Sequence, residues 1–397
     1  MEPLLYLVHR IPYPPNKGDK IRSFNILRLL SEYYNVHLGA FVDNKEDWKY
    51  ADKLKEYCSE TFLCKLNPNV AKIKSIRGFI TNDALTIPYF YSRKMQKWVE
   101  KTVNHNSIKK ALTFSSAMSQ YITNENYHEL SRYSDFVDVD SDKWRQYAAK
   151  NNIVMRWIYQ REATKLLQYE ISITEKFNKI FFVSNEEAEL FKKQIKKCTN
   201  KIDHYTNGVN TEYFNPNENM NNPYEKNSKV IVFTGAMDYW ANVDAVIWFV
   251  KDIFPIVLKK YSDVIFYIVG SNPTEQVKKL GQHKNIKVTG KVNDIRPYLK
   301  YANMAVAPLR IARGIQNKVL EALAMNKVVI GTEAAVEGIR NIHELEILIT
   351  NCAEQFAKNI VSELDNNVND INSHAFICRN YSWDKNLVEL LETLQLN

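Results

Sequence analysis

Pro308-Leu-Arg-Ile-Ala-Arg-Gly-Ile-Gln-Asn-Lys-Val-Leu-Glu-Ala-Leu-Ala-Met325 is the stretch on which the reading of this chain turns. It follows the apolar run Met304–Ala307 and precedes another, Val328–Gly331. Val319, Leu320, Leu323 and Ala324 recur at helical spacing, so the order is strand, loop, helix, strand. Gly314 lies in the loop, and the helix begins near Ile315. A helix that starts after a glycine loop presents free backbone N–H groups and the positive end of its dipole, which suits an anion. Arg310, Arg313 and Lys318 surround that point with cations, an arrangement that would hold a diphosphate. Glu321, one turn past Lys318, would place a carboxylate where it accepts from two vicinal ribose hydroxyls. A solvated helix start with an exposed carboxylate is the plainer reading of the same residues.

The alternation extends in both directions. Strands are expected at Leu4–Val8, Val36–Val42, Thr61–Lys65, Ala111–Phe114, Asp135–Val139 and Ile180–Ser184, and again at Lys229–Thr234, Val264–Val269 and Ile286–Thr289. Helical patterns such as Asp19–Glu32, Arg93–Asn104 and Arg156–Phe177 lie between them. This rhythm predicts βαβ units and parallel sheets. The Asn-rich stretch Asn215–Ser228, with two prolines, interrupts it and reads as a linker. Two Rossmann-like α/β domains are therefore expected, 1–205 and 229–378, joined through 206–228. A final helix in 381–397, N-capped by Ser382 and carrying Leu387, Leu390, Leu391 and Leu394, needs a docking surface.

At 397 residues, 45% hydrophobic and 25% charged, the chain has the profile of a globular protein of two domains. Its five cysteines are scattered with no CxxC pair, which argues against a disulfide framework and a zinc site and for a reducing compartment. The start of the chain has no basic n-region or long apolar h-region, so no signal peptide is expected, and no apolar run is long enough for a membrane span. The net charge of +8 suits anionic substrates or an anionic membrane surface, and no nucleic-acid motif accompanies it. Lys192, Lys193, Lys196, Lys197 and Lys201, on and just past a helix expected at Glu186–Lys197, form a candidate membrane contact. HExxH, GxSxG and Walker patterns are missing, so hydrolase and P-loop readings lack support.

Arg10–Arg22 is a second strand–loop–helix stretch. Its Gly18 permits close backbone approach, and Lys17, Lys20 and Arg22 are available as charges. Asp138 and Asp140 form an Asp-x-Asp after a strand. Such a pair holds a divalent cation in metal-dependent glycosyltransferases; it serves equally as an N-cap for the helix near Ser141. Gly235-Ala-Met-Asp-Tyr-Trp-Ala-Asn-Val follows a further strand, and Asn207-Gly is a turn signal.

Around Glu321 the sequence resembles the signature of glycosyltransferase family 4, in which one Glu is followed by a second in a Leu-Glu-Ala context. Glu321 matches the second glutamate, which in that family binds the ribose; the first falls on Arg313. Residues 10–22, 138–144, 235–244 and 313–318 look like the sugar transferases associated with the exosortase/PEP-CTERM system. The resemblance implies a GT-B fold: two Rossmann-like domains with parallel sheets facing a central cleft, the C-terminal helix crossing back to the first. It implies a retaining, metal-independent, hexosyl-type glycosyltransferase that uses a UDP- or GDP-linked sugar as donor substrate and no separate cofactor. The acceptor would be a glycan or a lipid-linked molecule, in polysaccharide or cell-envelope biosynthesis, in the cytoplasm or at the inner face of the membrane.

Carried over residue by residue, the donor would meet Gly18, Asp19, Gly235, Val292, Arg313, Gly314, Ile315, Asn317, Lys318 and Glu321. Val292 belongs to Gly290-Lys-Val-Asn-Asp, which resembles the loop that touches the base. Asp138, Asp140 and Arg313 would serve catalysis, the two aspartates polarising a sugar hydroxyl without a metal. Family members carry an Arg and a Lys on the diphosphate where this chain has Ala236 and Asn242, so Arg313 and Lys318 would replace that charge. The rival readings are an Asp-x-Asp metal-dependent transferase, a nucleotide-sugar 2-epimerase of the same architecture, and a degenerate transferase that only binds.

Overall fold

The computed structural model describes residues 1–149, 151–312, 314–365 and 372–396. It divides into two compact units, Met1–Thr206 together with the chain from Leu387 onward, and Asn207–Asn386.

The first unit is built on a seven-stranded sheet. Its strands are β1 (Glu2–Val8), β2 (Tyr34–Val42), β3 (Glu60–Lys65), β4 (Lys110–Phe114), β5 (Ser131–Val137), β6 (Lys179–Phe182) and β7 (Ile202–His204). They lie in the order β3-β2-β1-β4-β5-β6-β7, every neighbouring pair parallel. Leu4 to Val8 are fully buried, the continuous apolar run of a strand covered on both faces. The second unit repeats the plan with β8 (Val230–Thr234), β9 (Ile265–Val269), β10 (Ile286–Gly290), β11 (Met304–Ala307), β12 (Val329–Gly331) and β13 (Ile347–Ile349). Their order is β10-β9-β8-β11-β12-β13, again all parallel. The two separate parallel sheets, opening at β1 and β8, are those the sequence rhythm predicts. The edge strands β7 and β13 are additions: at three residues each they carry too little apolar pattern to read from sequence.

In each sheet the strand order reverses beside the opening strand, between β1 and β4 and between β8 and β11. A doubly wound sheet opens a crevice at that point, outside the carboxyl ends of the strands, because the helices on either side wind in opposite directions.

A buried ion pair ties β5 to the first helix, Gly18–Tyr33. Arg22 Nε donates to Asp135 Oδ2 at 2.7 Å, with the two side chains 1% and 0% exposed. The guanidinium also lies 4.0 Å from the centre of the Tyr205 ring. Removing one partner of such a pair strands a buried charge and costs about 3–5 kcal/mol.

The polar stretch Asn215–Ser228 packs as an irregular strap on the second unit. Tyr224 is buried in that core, Tyr224 Oη donates to Tyr298 O at 2.6 Å, and Glu218 accepts from Arg296. Gly208 is required by close approach: a Cβ there would lie 2.6 Å from Trp383 N. The C-terminal region departs from one continuous helix. It forms Ser373–Tyr381, Trp383–Asn386 and Val388–Gln395. Ser382 is extended, where it bridges to Val209, and its Oγ accepts from Lys385 N at 3.3 Å. Leu390 and Leu394 of the last helix are fully buried within the first unit.

Candidate functional site

The carboxyl end of the second sheet collects the residues singled out around position 314. β11 ends at Ala307, the loop turns through Gly314 at φ +61°, and the helix runs Asn317–Ala324. Its N-cap, Gln316, donates its side-chain amide to Gly314 O at 3.1 Å and makes no side-chain cap to the helix. Val319 N–H donates to Gln316 O, so among the described residues the N–H groups of Asn317 and Lys318 remain available to an anion. Asn317 Oδ1 is buried with no hydrogen-bond partner among the described residues, and Ile315 packs against the second core. Arg313 lies outside the described residues.

Lys318 and Glu321 share one face of this helix and are partly buried. Burial lowers the Lys318 ammonium to about 8 against the opposing pull of Glu321, and raises the Glu321 carboxyl to about 7 against that of Lys318. The Lys318 ammonium donates to Asn242 Oδ1 and sits 4.8 Å from the centre of the Phe233 ring. Asn242 in turn donates to Ala236 O at 2.8 Å. Lys318 thus comes from a different helix to position 242, which is Asn in this chain. Arg310 behaves otherwise: its guanidinium forms a two-pronged pair with Asp244 and does not stand free beside the loop.

The loop after β8 meets the same rim. Gly235 has φ +153°, its N–H donates to Val269 O at 3.0 Å, and a Cβ on it would lie 2.7 Å from Asn242 Nδ2. Gly270 is tighter still, since a Cβ there would lie 1.7 Å from Gly235 O. At the end of β10, Gly290 has φ +68°, and beyond it Val292 packs half-buried on the core, while Asp294 accepts from Arg296 and from Tyr213 Oη.

In the first unit the rim of β1, β4 and β5 is polar. Gly18 opens its helix without a side-chain cap, and a Cβ added to it would meet nothing within 4 Å. Asp19 is enclosed by donors: it accepts from Arg10, and His9 Nε2 lies 3.4 Å away. Although burial alone would raise it, the hydrogen bond from His9 and the charge of Arg10 hold its carboxyl well below the usual range. An ionised, already paired Asp19 is better suited to orienting His9 and Arg10 than to accepting from a sugar. Lys20 and Arg22 are not available as loop charges; Lys20 Nζ is buried on Asp47 Oδ2 at 2.6 Å and Arg22 on Asp135. Two and four residues after Gly18, they leave the helix on different faces, and each is buried against its own aspartate, which a count of lysines and arginines does not reveal.

Asp138 and Asp140 stand past the end of β5, which stops at Val137 and not at the expected Val139. Val137 has φ +71°, rare for a β-branched residue, and the register with β6 shifts there. The irregularity re-aims the chain, so that both carboxylates converge on one ammonium. Lys143 Nζ lies 2.6 Å from Asp138 Oδ2 and 3.3 Å from Asp140 Oδ1. Burial raises the Asp140 carboxyl above its ordinary value against the pull of Lys143, with the neighbouring Asp138 adding to the rise. Behind them Ser141 Oγ donates to Glu170 Oε2 at 2.6 Å, and burial pushes Glu170 up to about 8. His9, Lys143 and Glu170 were not among the sequence candidates. Lys143 was legible as the residue one turn after Asp140, and His9 as the first residue past β1; Glu170 had no local signal.

Residues 228–366, within the second unit, match the family model described as Glycosyl transferases group 1. Over 395 aligned residues the chain is 22% identical to an uncharacterized protein of the cps region of Klebsiella pneumoniae, covering 94% of this chain and 95% of that one. A glycosyltransferase from Rickettsia africae superposes with a TM-score of 0.64 at 17% identity, over 99% of this chain and 98% of that one. HepE of Anabaena, solved in complex with UDP, superposes with a TM-score of 0.67 at 11% identity over the whole of both chains. The fold is GT-B, two Rossmann-like units with parallel sheets.

Proposed function

We propose that this protein is a retaining, metal-independent glycosyltransferase that moves a hexosyl group from a UDP- or GDP-linked sugar to a glycan or lipid-linked acceptor of a cell-envelope polysaccharide. The observation that carries the reading is the uncapped start of the helix Asn317–Ala324, with Lys318 and Glu321 on one face at the switch point of the second sheet. Backbone N–H groups and Lys318, with Arg313, would hold the diphosphate and stabilise it as leaving group. Glu321 would accept from the ribose, Asn317 and Ile315 would line the path to the sugar, and Val292 would border the base. The match to the group 1 family model lies over these residues, and a UDP complex of a protein with this fold supports a nucleotide donor.

Asp138 and Asp140 would polarise a sugar hydroxyl. Metal independence is supported by Lys143, whose ammonium occupies the space between the two carboxylates that a divalent cation would need. The kinship with a protein of a cps region supports a role in envelope polysaccharide.

A thermal-shift screen of nucleotide sugars, followed by transfer assays with the donor that binds, tests the reading. A melting shift with one nucleotide sugar and transfer with retained anomeric configuration, unchanged in excess EDTA, is the expected result. No shift with any nucleotide sugar, or activity lost to EDTA and restored by Mn²⁺ or Mg²⁺, would overturn it.

A further inference from the structure

The first unit carries an exposed apolar surface that its core does not explain. Ile73 and Ile80, on the helices Pro68–Ser75 and Arg77–Ile80, and Ile76 between them are between 57 and 85% exposed. Ile153 and Trp157, in the first turn and a half of the helix Ile153–Lys176, are 87% and 60% exposed. The two groups form one surface, because the Phe79 ring stacks on Trp157 with centroids 6.1 Å apart and planes 5° from parallel. Arg161 fixes the junction, donating to Gly78 O at 2.8 Å and lying over the Phe79 ring at 4.7 Å. A contiguous apolar patch of this kind marks an interaction surface.

Charge decides which partner. Lys72, Lys74 and Arg77 are interleaved with the isoleucines, and Arg156 and Arg161 with the aromatic residues. Neither 68–82 nor 151–161 contains an aspartate or glutamate; Asp83 stands at the margin, and Glu162 is turned inward to accept from Leu85 N and Thr86 N. Apolar residues ringed by cations alone suit a surface with hydrocarbon beneath and anions above it. A second copy of this chain suits it poorly, since a two-fold contact would press the same cations together. The basic stretch 192–201 is a weaker candidate, because Lys192 pairs with Glu189 and Lys201 donates to Thr174 O and Glu175 O.

We infer that the surface formed by Ile73, Ile76, Phe79, Ile80, Ile153 and Trp157 docks on an anionic lipid bilayer. The helix Asp140–Ala149, which carries Lys143, packs along the same long helix, and Trp144 touches Tyr159, two residues past Trp157. Ser141 bonds Glu170, so Asp138 and Asp140 stand at the far end of this helix pair from Ile153 and Trp157, and docking there would serve a lipid-linked acceptor whose glycan spans the length of the pair. That purpose rests on the proposed function; the docking itself does not, and it is measured without donor or acceptor.

The test is sedimentation of the full chain with phosphatidylcholine vesicles, with and without phosphatidylglycerol. The wild type should bind the anionic vesicles at low salt, with weaker binding at high salt or to neutral vesicles. Ile76→Asp/Ile80→Asp and, separately, Ile153→Asp/Trp157→Ser should each reduce binding by about tenfold or more. Both should keep the wild-type melting temperature and the nucleotide-sugar thermal shift, which separates this outcome from failure of the proposed function. Replacing Lys192, Lys193, Lys196 and Lys197 with Gln should change binding less than either pair. Wild type that stays in the supernatant with anionic vesicles, or variants that bind as well as wild type, would overturn the inference. So would a wild-type dimer that these variants convert to monomer without loss of vesicle binding.

Discussion

The Lys318 ammonium donates its hydrogen bond to Asn242 Oδ1, joining two helices of the second unit at the carboxyl end of β8. Asn242 holds the far side of this contact by donating to Ala236 O in the loop that follows β8. The chain thereby sets a cation beside that loop although neither position 236 nor position 242 is basic.

Lys318→Ala should weaken binding of UDP-linked donors about ten- to hundredfold by calorimetry, the worth of one charge-assisted hydrogen bond. Asn242→Ala keeps the charge and loses its positioning, so its loss should be several-fold. Arg313→Ala separates two roles: if Arg313 serves the diphosphate, affinity for the bare nucleoside diphosphate falls as far as for the nucleotide sugar. If it reads an acidic sugar, the bare nucleotide is unaffected.

The opposed shifts of Lys318 and Glu321 set a pH window. Glu321 is raised to about 7, so its accepting carboxylate is fully present only above that pH. Lys318 is lowered to about 8, so its ammonium is lost as pH rises through that value. Affinity for a UDP-sugar, whose diphosphate diester does not titrate in this range, should peak between the two. Glu321→Gln should flatten the acid limb and leave the alkaline one; a wild-type profile flat across both values would contradict the assignment.

Lys143→Ala leaves Asp138 and Asp140 facing each other without a cation. Turnover should fall by a factor of about a hundred or more if the pair must be held in place. The variant should also acquire Mn²⁺ binding detectable by calorimetry that the wild type does not show. Equal Mn²⁺ affinity in the two proteins would mean that Lys143 does not fill the site.

Two glycines should respond in opposite ways. Gly270→Ala places a Cβ 1.7 Å from Gly235 O, a backbone atom, at φ +153°. We expect a loss of about 3 kcal/mol or more, several degrees in melting temperature. Gly18→Ala meets nothing within 4 Å at a helix start, so stability should hold or rise slightly. Its cost should fall on donor turnover alone, as kcat falling with the melting temperature unchanged.

The sequence by itself determined the two parallel sheets, because strands buried on both faces must be continuous apolar runs and crossover helices must be amphipathic, and both patterns are local. It also determined the glycine loop and helix start at 314–324, where the chemistry lies within one short segment. It did not reveal β7 and β13, whose three residues pair through neighbours distant in the chain, nor the interruption of the last helix at Leu387. Above all it left open which cations stand free. Lys20, Arg22 and Arg310 look available in a list of basic residues, yet Asp47, Asp135 and Asp244 neutralise them. Lys318 reaches Asn242 across 76 residues of sequence. An ion pair depends on the position of both partners in space, and for these residues only the packing of helix against sheet brings the partners within reach.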